Sequence, residues 1–335
     1  MTRGTTASAS FVAHRIPAHT LMRWATECLA ALGVPDATAL LLAQSFVKVS
    51  LLGFDVQGVN RLLQELEVVS HEGWTEPSIN VQFTGESTVH IDGGSGHGIL
   101  IAHQANELAM MHAIATGLGA ASVVSSSDCG AMALYTRRAS EGNLIGIAFS
   151  RTQTPSIDDK SYSSTRSAET AVSIALSDSS GQLMCVDIGE PEIFLTDERG
   201  CEGRPTDSAS DWRGEVCRII RLVLEPHIDQ SLLLDVLELS EPIKQAGALF
   251  IVVDPTRIEN GAAISANLSR KVESFQRRSS RAETLSDPVS TEKVIRRAVG
   301  IPISSAAERK INVWSQHLHL AIPFDDPEGC PATMQ

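Results

Sequence analysis

Positive charge is scarce in this 335-residue chain: 27 lysines and arginines stand against 40 aspartates and glutamates, a formal net charge of −13. Nucleic acids and anionic membrane surfaces are held by clustered cations, so this balance excludes non-specific binding of either and points to a small-molecule partner. Aromatic residues make up only 4%, which leaves little material for base-stacking platforms. The six cysteines (28, 129, 185, 201, 217 and 330) form no C-x-x-C pair, and so read as reduced thiols rather than a disulfide framework. No run of about eighteen apolar residues occurs, and "MTRGTTASASFVAHRIP" lacks the apolar core of a signal peptide. The protein is therefore expected to be cytoplasmic.

Familiar catalytic signatures are missing too. No G-x-G-x-x-G follows a strand and no G-x-x-x-x-G-K-[ST] occurs, which removes a Rossmann fingerprint and a P-loop; His-Glu-x-x-His and G-x-S-x-G are also absent. His317 and His319 in "HLHL" have no nearby third ligand, so they read as structural or exposed; His97 and His103, flanking a helix start, read as surface residues. The basic run Arg270, Lys271, Arg277, Arg278, Arg281 reads as the solvated face of a helix.

What remains is ordinary globular material, 43% hydrophobic and 20% charged, long enough for two lobes. "AHTLMRWATECLAALG" has helical apolar spacing and stops at Gly33; Asp36 is placed to cap "ATALLLAQSFVKVSLL", which ends at Gly53; a short helix over 61–69 follows. From about Asn80 the texture alternates: "VQFTG" and "TVHIDGG" predict strands, and "HGILIAHQANELAMMHAIATG" predicts a long helix closed by Gly117. "GAASVVSSS" and "LIGIAFS" predict strands around the helix "GAMALYTRRASEG". "AVSIALSDSSGQLMCVDIG" predicts a hairpin, "DWRGEVCRIIRLVLEPH" a helix capped by Asp211, and "GALFIVVDP" a buried strand. Ser305 with Glu308 predicts a capping box for a terminal helix.

Seven segments in order resemble successive blocks of the malate/L-lactate dehydrogenase family: "LLGFDVQGVNRL", "IDGGSGHGILIAHQANELA", "SSSDCGAMALYTRRASEGNLIGIAFS", "LMCVDIG", "WRGEVCRIIRLVL", "ALFIVVDP" and "VIRRAVGIPIS". This is the non-Rossmann group with ureidoglycolate dehydrogenase and Δ1-piperideine-2-carboxylate reductase, and the resemblance spans roughly residues 10 to 320. It implies a mixed α/β fold with a central mixed sheet and flanking helices. A helical unit of residues 10–75 joined by 285–320, an α/β cofactor and substrate domain over 76–284, and a homodimer are implied with it. The implied reaction moves hydride between NAD(P)H and the C2 carbon of a 2-oxo acid, 2-hydroxy acid or cyclic imine.

Such a reaction needs a cation for the substrate carboxylate, a proton carrier and a fixed cofactor. Arg61 matches the arginine of the family's G-x-D-S-H-G-x-x-R motif and suits a bidentate hold on an anionic substrate, with a surface ion pair to Glu65 as the alternative. Where the family has Ser-His, this chain has Val56 and Gln57, and an amide does not titrate near neutral pH. Asp128 matches a second family histidine, either as a proton donor or as the cap of the following helix. Asp187 in "VDIG" matches the family's acidic position and an orienting role. For the cofactor, Ser126 and Gly130 stand where a strand runs into a helix. The family's glycine-rich phosphate stretch is replaced by "PSIDDKSYSSTRSAETA", where Ser164 and Arg166 are the candidate donors, and Arg213 stands for a family lysine. Two readings follow: a divergent oxidoreductase, suited to specialised metabolism, or a redox-inactive homologue with a cofactor-free reaction or a binding role in the old pocket.

Overall fold

The computed structural model describes residues 12–154, 167–177, 183–189, 246–258 and 288–324, with a few positions between 262 and 270. In chain order the elements are β1 (Val12–Ile16), α1 (Ala18–Ala31), α2 (Asp36–Leu51), α3 (Val59–Glu72), β2 (Asn80–Phe83), β3 (Thr88–Gly96), α4 (Gly98–Thr116), β4 (Leu118–Ser126), α5 (Ala133–Glu141) and β5 (Ile145–Thr154). There follow β6 (Ser167–Ser177), β7 (Leu183–Gly189), β8 (Ala246–Val253), α6 (Pro288–Val299), β9 (Ile301–Ser304) and α7 (Ser305–His317). They form two compact units, Met1–Thr75 with Val289–Gln335, and Glu76–Pro288. The predicted helix at Asp211 lies outside the described residues.

The first unit is helical because its apolar residues recur at helical spacing. Leu21, Trp24, Cys28 and Leu29 of α1, Leu42, Ala43 and Phe46 of α2, and Leu62, Leu66 and Val69 of α3 are all buried, each large side chain contributing about 1.5–3 kcal/mol. Antiparallel pairing of β1 with β9 joins the chain's two ends, and the Trp24 indole N–H donates to Ser315 Oγ at 2.9 Å. Three boundaries differ from the sequence reading. Asp36 is the first residue of α2, behind Pro35, and makes no capping hydrogen bond; its charge sits in the first turn, where the helix dipole favours it. The third helix begins at Val59 rather than Arg61. The last helix is capped one residue early: Ser304 Oγ accepts from Ala307 N–H at 3.2 Å, while Glu308 faces His14 at 3.0 Å.

The second unit is built on a seven-stranded mixed sheet of order β2-β3-β4-β8-β5-β6-β7. Strands β3 and β4 are parallel and every other neighbouring pair is antiparallel, so α4 is the crossover that a parallel pair requires. Helix α4 lies close on β4, where a side chain at Gly119 would meet the Ala109 carbonyl. It ends, as predicted, at Gly117 in the left-handed conformation, φ +96°. The predicted hairpin is formed by β6 and β7. His97 and His103 are both half-buried, and His103 lies edge-on to Tyr135 at 5.2 Å.

Candidate functional site

Each unit has, within itself, one turn that holds sequence-predicted residues. In the first unit the turn is Leu52–Gly58, between α2 and α3. Gly53 turns the chain at φ +96°, which a residue with Cβ adopts only with strain. Gly58 lies against the end of α2, and a Cβ there would stand 2.8 Å from the Ser50 nitrogen and overlap Ser50 Oγ. That hydroxyl accepts from Val59 N–H at 2.8 Å and starts α3.

The acid of this turn, Asp55, has the most elaborate partner. Arg296 of α6 approaches its carboxylate in a fork, Nη1 to Oδ1 at 2.5 Å and Nη2 to Oδ2 at 3.0 Å. The same Nη1 donates to the Ser50 carbonyl at 2.7 Å, and Nε donates to Glu292. Burial pushes the Asp55 carboxyl up, against the pull of the Arg296 hydrogen bonds and charge. Burial works against the guanidinium as well, but Asp55 and Glu292 more than offset it, so Arg296 lies above its usual value. The two parallel N–H donors of the fork meet two acceptor oxygens, the arrangement of a guanidinium with an ionised carboxylate.

Gln57 is exposed at the tip of this turn and Val56 beside it is 74% exposed. Arg61, in the first turn of α3, is half-buried and donates to Gln64 Oε1 at 3.5 Å, the outer limit of a hydrogen bond. Arg296, Asp55 and Ser50 were not singled out by sequence reasoning. An arginine in "VIRRAVG" looks like a solvated helix charge, and its partner lies 241 residues away.

In the second unit the turn is Ser127–Met132, after β4. The β4–β8 ladder slips between Val123 and Ser126, and Ser125 there has φ +54°, a bulge that re-aims the strand end. The turn is stitched to the start of α4: Ser127 N–H donates to the Gly96 carbonyl at 3.0 Å, and Gly98 N–H donates to Ser127 Oγ at 2.8 Å. Asp128 does not cap the following helix, contrary to one sequence reading. Helix α5 starts only at Ala133, with Met132 at the cap position and no side-chain capping bond, and Asp128 Oδ1 instead accepts from Gly130 N–H at 3.0 Å. The intervening residues Cys129 to Met132 are needed to turn the chain, which leaves the carboxylate too far back to reach the helix.

The same contacts bear on the cofactor. Ser126 is buried with its hydroxyl 3.6 Å from Cys129 Sγ, and the Gly130 N–H is taken by Asp128. Of the two, Gly130 has its N–H engaged within the turn, and the Ser126 hydroxyl lies against the Cys129 thiol. Ser164, Arg166 and Arg213 lie outside the described residues. Asp187 stands in β7 opposite Ser173 of β6. Strands β8, β5 and β6 separate β7 from β4, about 19 Å along the sheet at the usual strand spacing. The sheet therefore does not bring Asp187 to Asp128, whereas Ser126, Asp128 and Gly130 share one turn. Among the described residues no cluster of three His, Cys, Asp or Glu side chains could hold a metal ion, and no helix is long and apolar enough to cross a membrane.

Comparison with known proteins follows the same geography. The malate dehydrogenase of Pyrococcus horikoshii is 30% identical over 140 residues, 42% of this chain and 39% of that enzyme. The matched stretch thus spans about two fifths of the relative's length. In fold, the chain is similar to the solved P. horikoshii malate dehydrogenase, with a TM-score of 0.66 at 19% identity over 96% of this chain and 99% of that one. It is similar also to the Δ1-piperideine-2-carboxylate reductase of Pseudomonas syringae, with a TM-score of 0.60 at 17% identity over 91% and 99%. The family model described as malate/L-lactate dehydrogenase matches residues 16–188, a span that holds both turns and runs to the end of β7, and the chain belongs to that family.

Proposed function

We propose that the protein is an NAD(P)H-dependent oxidoreductase acting on a 2-oxo acid, a 2-hydroxy acid or a carboxylated cyclic imine. The observation that supports this reading is the family match over residues 16–188, which includes the Gly53–Arg61 segment and the turn after β4. Arg61 is the residue that holds the substrate carboxylate, since its long bond to Gln64 is readily exchanged for a charge-assisted bidentate one. Gln57 at the exposed tip donates its amide N–H to the substrate's carbonyl oxygen but supplies no proton. The proton comes from water or from Asp128. The nicotinamide cofactor supplies the hydride; its anionic part is held by Ser164, Arg166 and Arg213 rather than by the Gly130 N–H, which Asp128 takes. The working form is a homodimer.

Titration with NADPH and NADH tests this reading, following tryptophan quenching and calorimetry, with hydride transfer then assayed against oxaloacetate, pyruvate and Δ1-piperideine-2-carboxylate. Saturable micromolar binding with turnover of one acceptor is expected. No binding up to millimolar cofactor would overturn the proposal. A second reading is favoured by the engaged Gly130 N–H together with the untitratable Val56–Gln57 pair: a homologue without hydride transfer, performing a cyclisation, an isomerisation or a binding role. Activity that survives complete removal of nicotinamide cofactor would select it.

A further inference from the structure

Arg296 makes four hydrogen bonds through its guanidinium, to Asp55 twice, to the Ser50 carbonyl and to Glu292, and it is 7% exposed. Burying a cation among two carboxylates brings little net stability, because a well-packed apolar side chain of similar volume does as well. What a forked guanidinium provides is geometry. Its planar donors fix the carboxylate and the carbonyl relative to one another, which a lysine cannot reproduce.

The two groups it joins are the end of α2 and the chain reversal that follows it. Ser50 is in the last turn of α2, where the negative helix end favours a cation, and its buried carbonyl also accepts from Gly53 N–H at 3.1 Å. Asp55 is inside the turn. The reversal is closed again by Val59 N–H on Ser50 Oγ at 2.8 Å, Gly58 N–H on the Phe54 carbonyl at 2.8 Å and Asn60 N–H on the Asp55 carbonyl at 3.1 Å. The last of these lies one residue before Arg61. A link between two helices does not need so many constraints; a turn that must present side chains at a set position does. The clamp also comes from residue 296, beyond the 16–188 span of the family match.

We propose that Arg296 is a positioning residue: through Asp55 and Ser50 it fixes the Leu52–Gly58 turn and thereby sets where Gln57 and Arg61 meet an anionic substrate. The proposal rests on the reading of Arg61 given above. The test uses the full chain and oxalate, a small dicarboxylate probe, with affinity measured by calorimetry and turn order by amide hydrogen exchange. The variants are Arg61→Ala, Arg296→Lys, and the double variant Arg296→Gln with Asp55→Asn. The double variant removes the two charges of the fork at once, and the remaining Glu292 carboxylate is 39% exposed, so no orphan charge is left buried to unfold the chain.

Arg61→Ala is expected to weaken oxalate binding. The double variant is expected to weaken it by about tenfold to a hundredfold and to speed exchange across residues 52–60, with α1 and α7 unchanged. Arg296→Lys should fall between wild type and the double variant in both readouts. Unchanged exchange across the turn would overturn the proposal. So would faster exchange with unchanged oxalate affinity, provided Arg61→Ala weakens binding, and in that case the reading of Arg61 stands. Oxalate affinity that ignores Arg61→Ala would overturn that reading, and the proposal with it.

Discussion

The hydroxyl of Tyr135 donates to the carbonyl oxygen of Cys129 at 2.6 Å, so a buried phenol in α5 anchors the turn that follows β4. Replacing Tyr135 by phenylalanine keeps the edge-on packing against His103 and Phe250 and leaves the carbonyl without this donor. A loss of about 1–3 kcal/mol is expected, measured as a lower urea midpoint at unchanged slope. A neutral result would show that water reaches the carbonyl.

Gly98 faces the same turn from the start of α4. A Cβ there would come within 2.5 Å of the Asp128 carbonyl oxygen and closer still to that of Ser127. Neither backbone can yield without breaking the Gly98 to Ser127 hydrogen bond. Gly98→Ala is expected to cost about 1–3 kcal/mol and to speed amide exchange across residues 126–130. Wild-type stability in thermal melts would contradict the close approach.

The engagement of Asp128 within its own turn makes water the expected proton source. Asp128→Asn keeps an acceptor for the Gly130 N–H, so the turn survives and turnover should change by less than about tenfold, with the pH profile retained. A general acid contributes about a hundredfold or more, so a loss of that size together with a lost limb of the profile would assign the proton to Asp128.

Burial pushes the thiols of Cys28 and Cys129 up from 9.0 to about 12. Between these values an unfolded chain gives up both protons while the folded chain keeps them. Stability is therefore whole below pH ~9 and falls as pH rises toward ~12, by about 1.4 kcal/mol per pH unit for each thiol. The Cys28→Ala, Cys129→Ala double variant should lose less stability than wild type over that window in denaturant titrations. The native protein should also leave both thiols unlabelled by iodoacetamide at neutral pH; fast labelling of either would disprove their burial.

Much of the architecture was legible because it depends on local spacing. Leu21, Trp24 and Cys28 recur with the helical period, "TVHIDGG" and "AVSIALS" alternate as strands, and Gly117 ends α4 where only a left-handed residue would serve. Caps were read less well: Ser304 rather than Ser305 caps the last helix, since neighbouring serines offer the same chemistry and only the backbone selects between them. At the site, Arg61 and the two turns stood out by residue type and order, but the use made of Asp128 did not.

The sequence by itself determined the element types, the family and the absence of a titratable pair at 56–57, because each is carried by residue identity or short-range periodicity. The tertiary structure alone decided which polar groups are already spent. Arg296 reaches Asp55 from 241 residues away, Asp128 turns back on Gly130, and three strands separate Asp187 from that turn. A hydrogen bond depends on where a donor and an acceptor are brought, and for residues far apart in sequence only the folded chain brings them there.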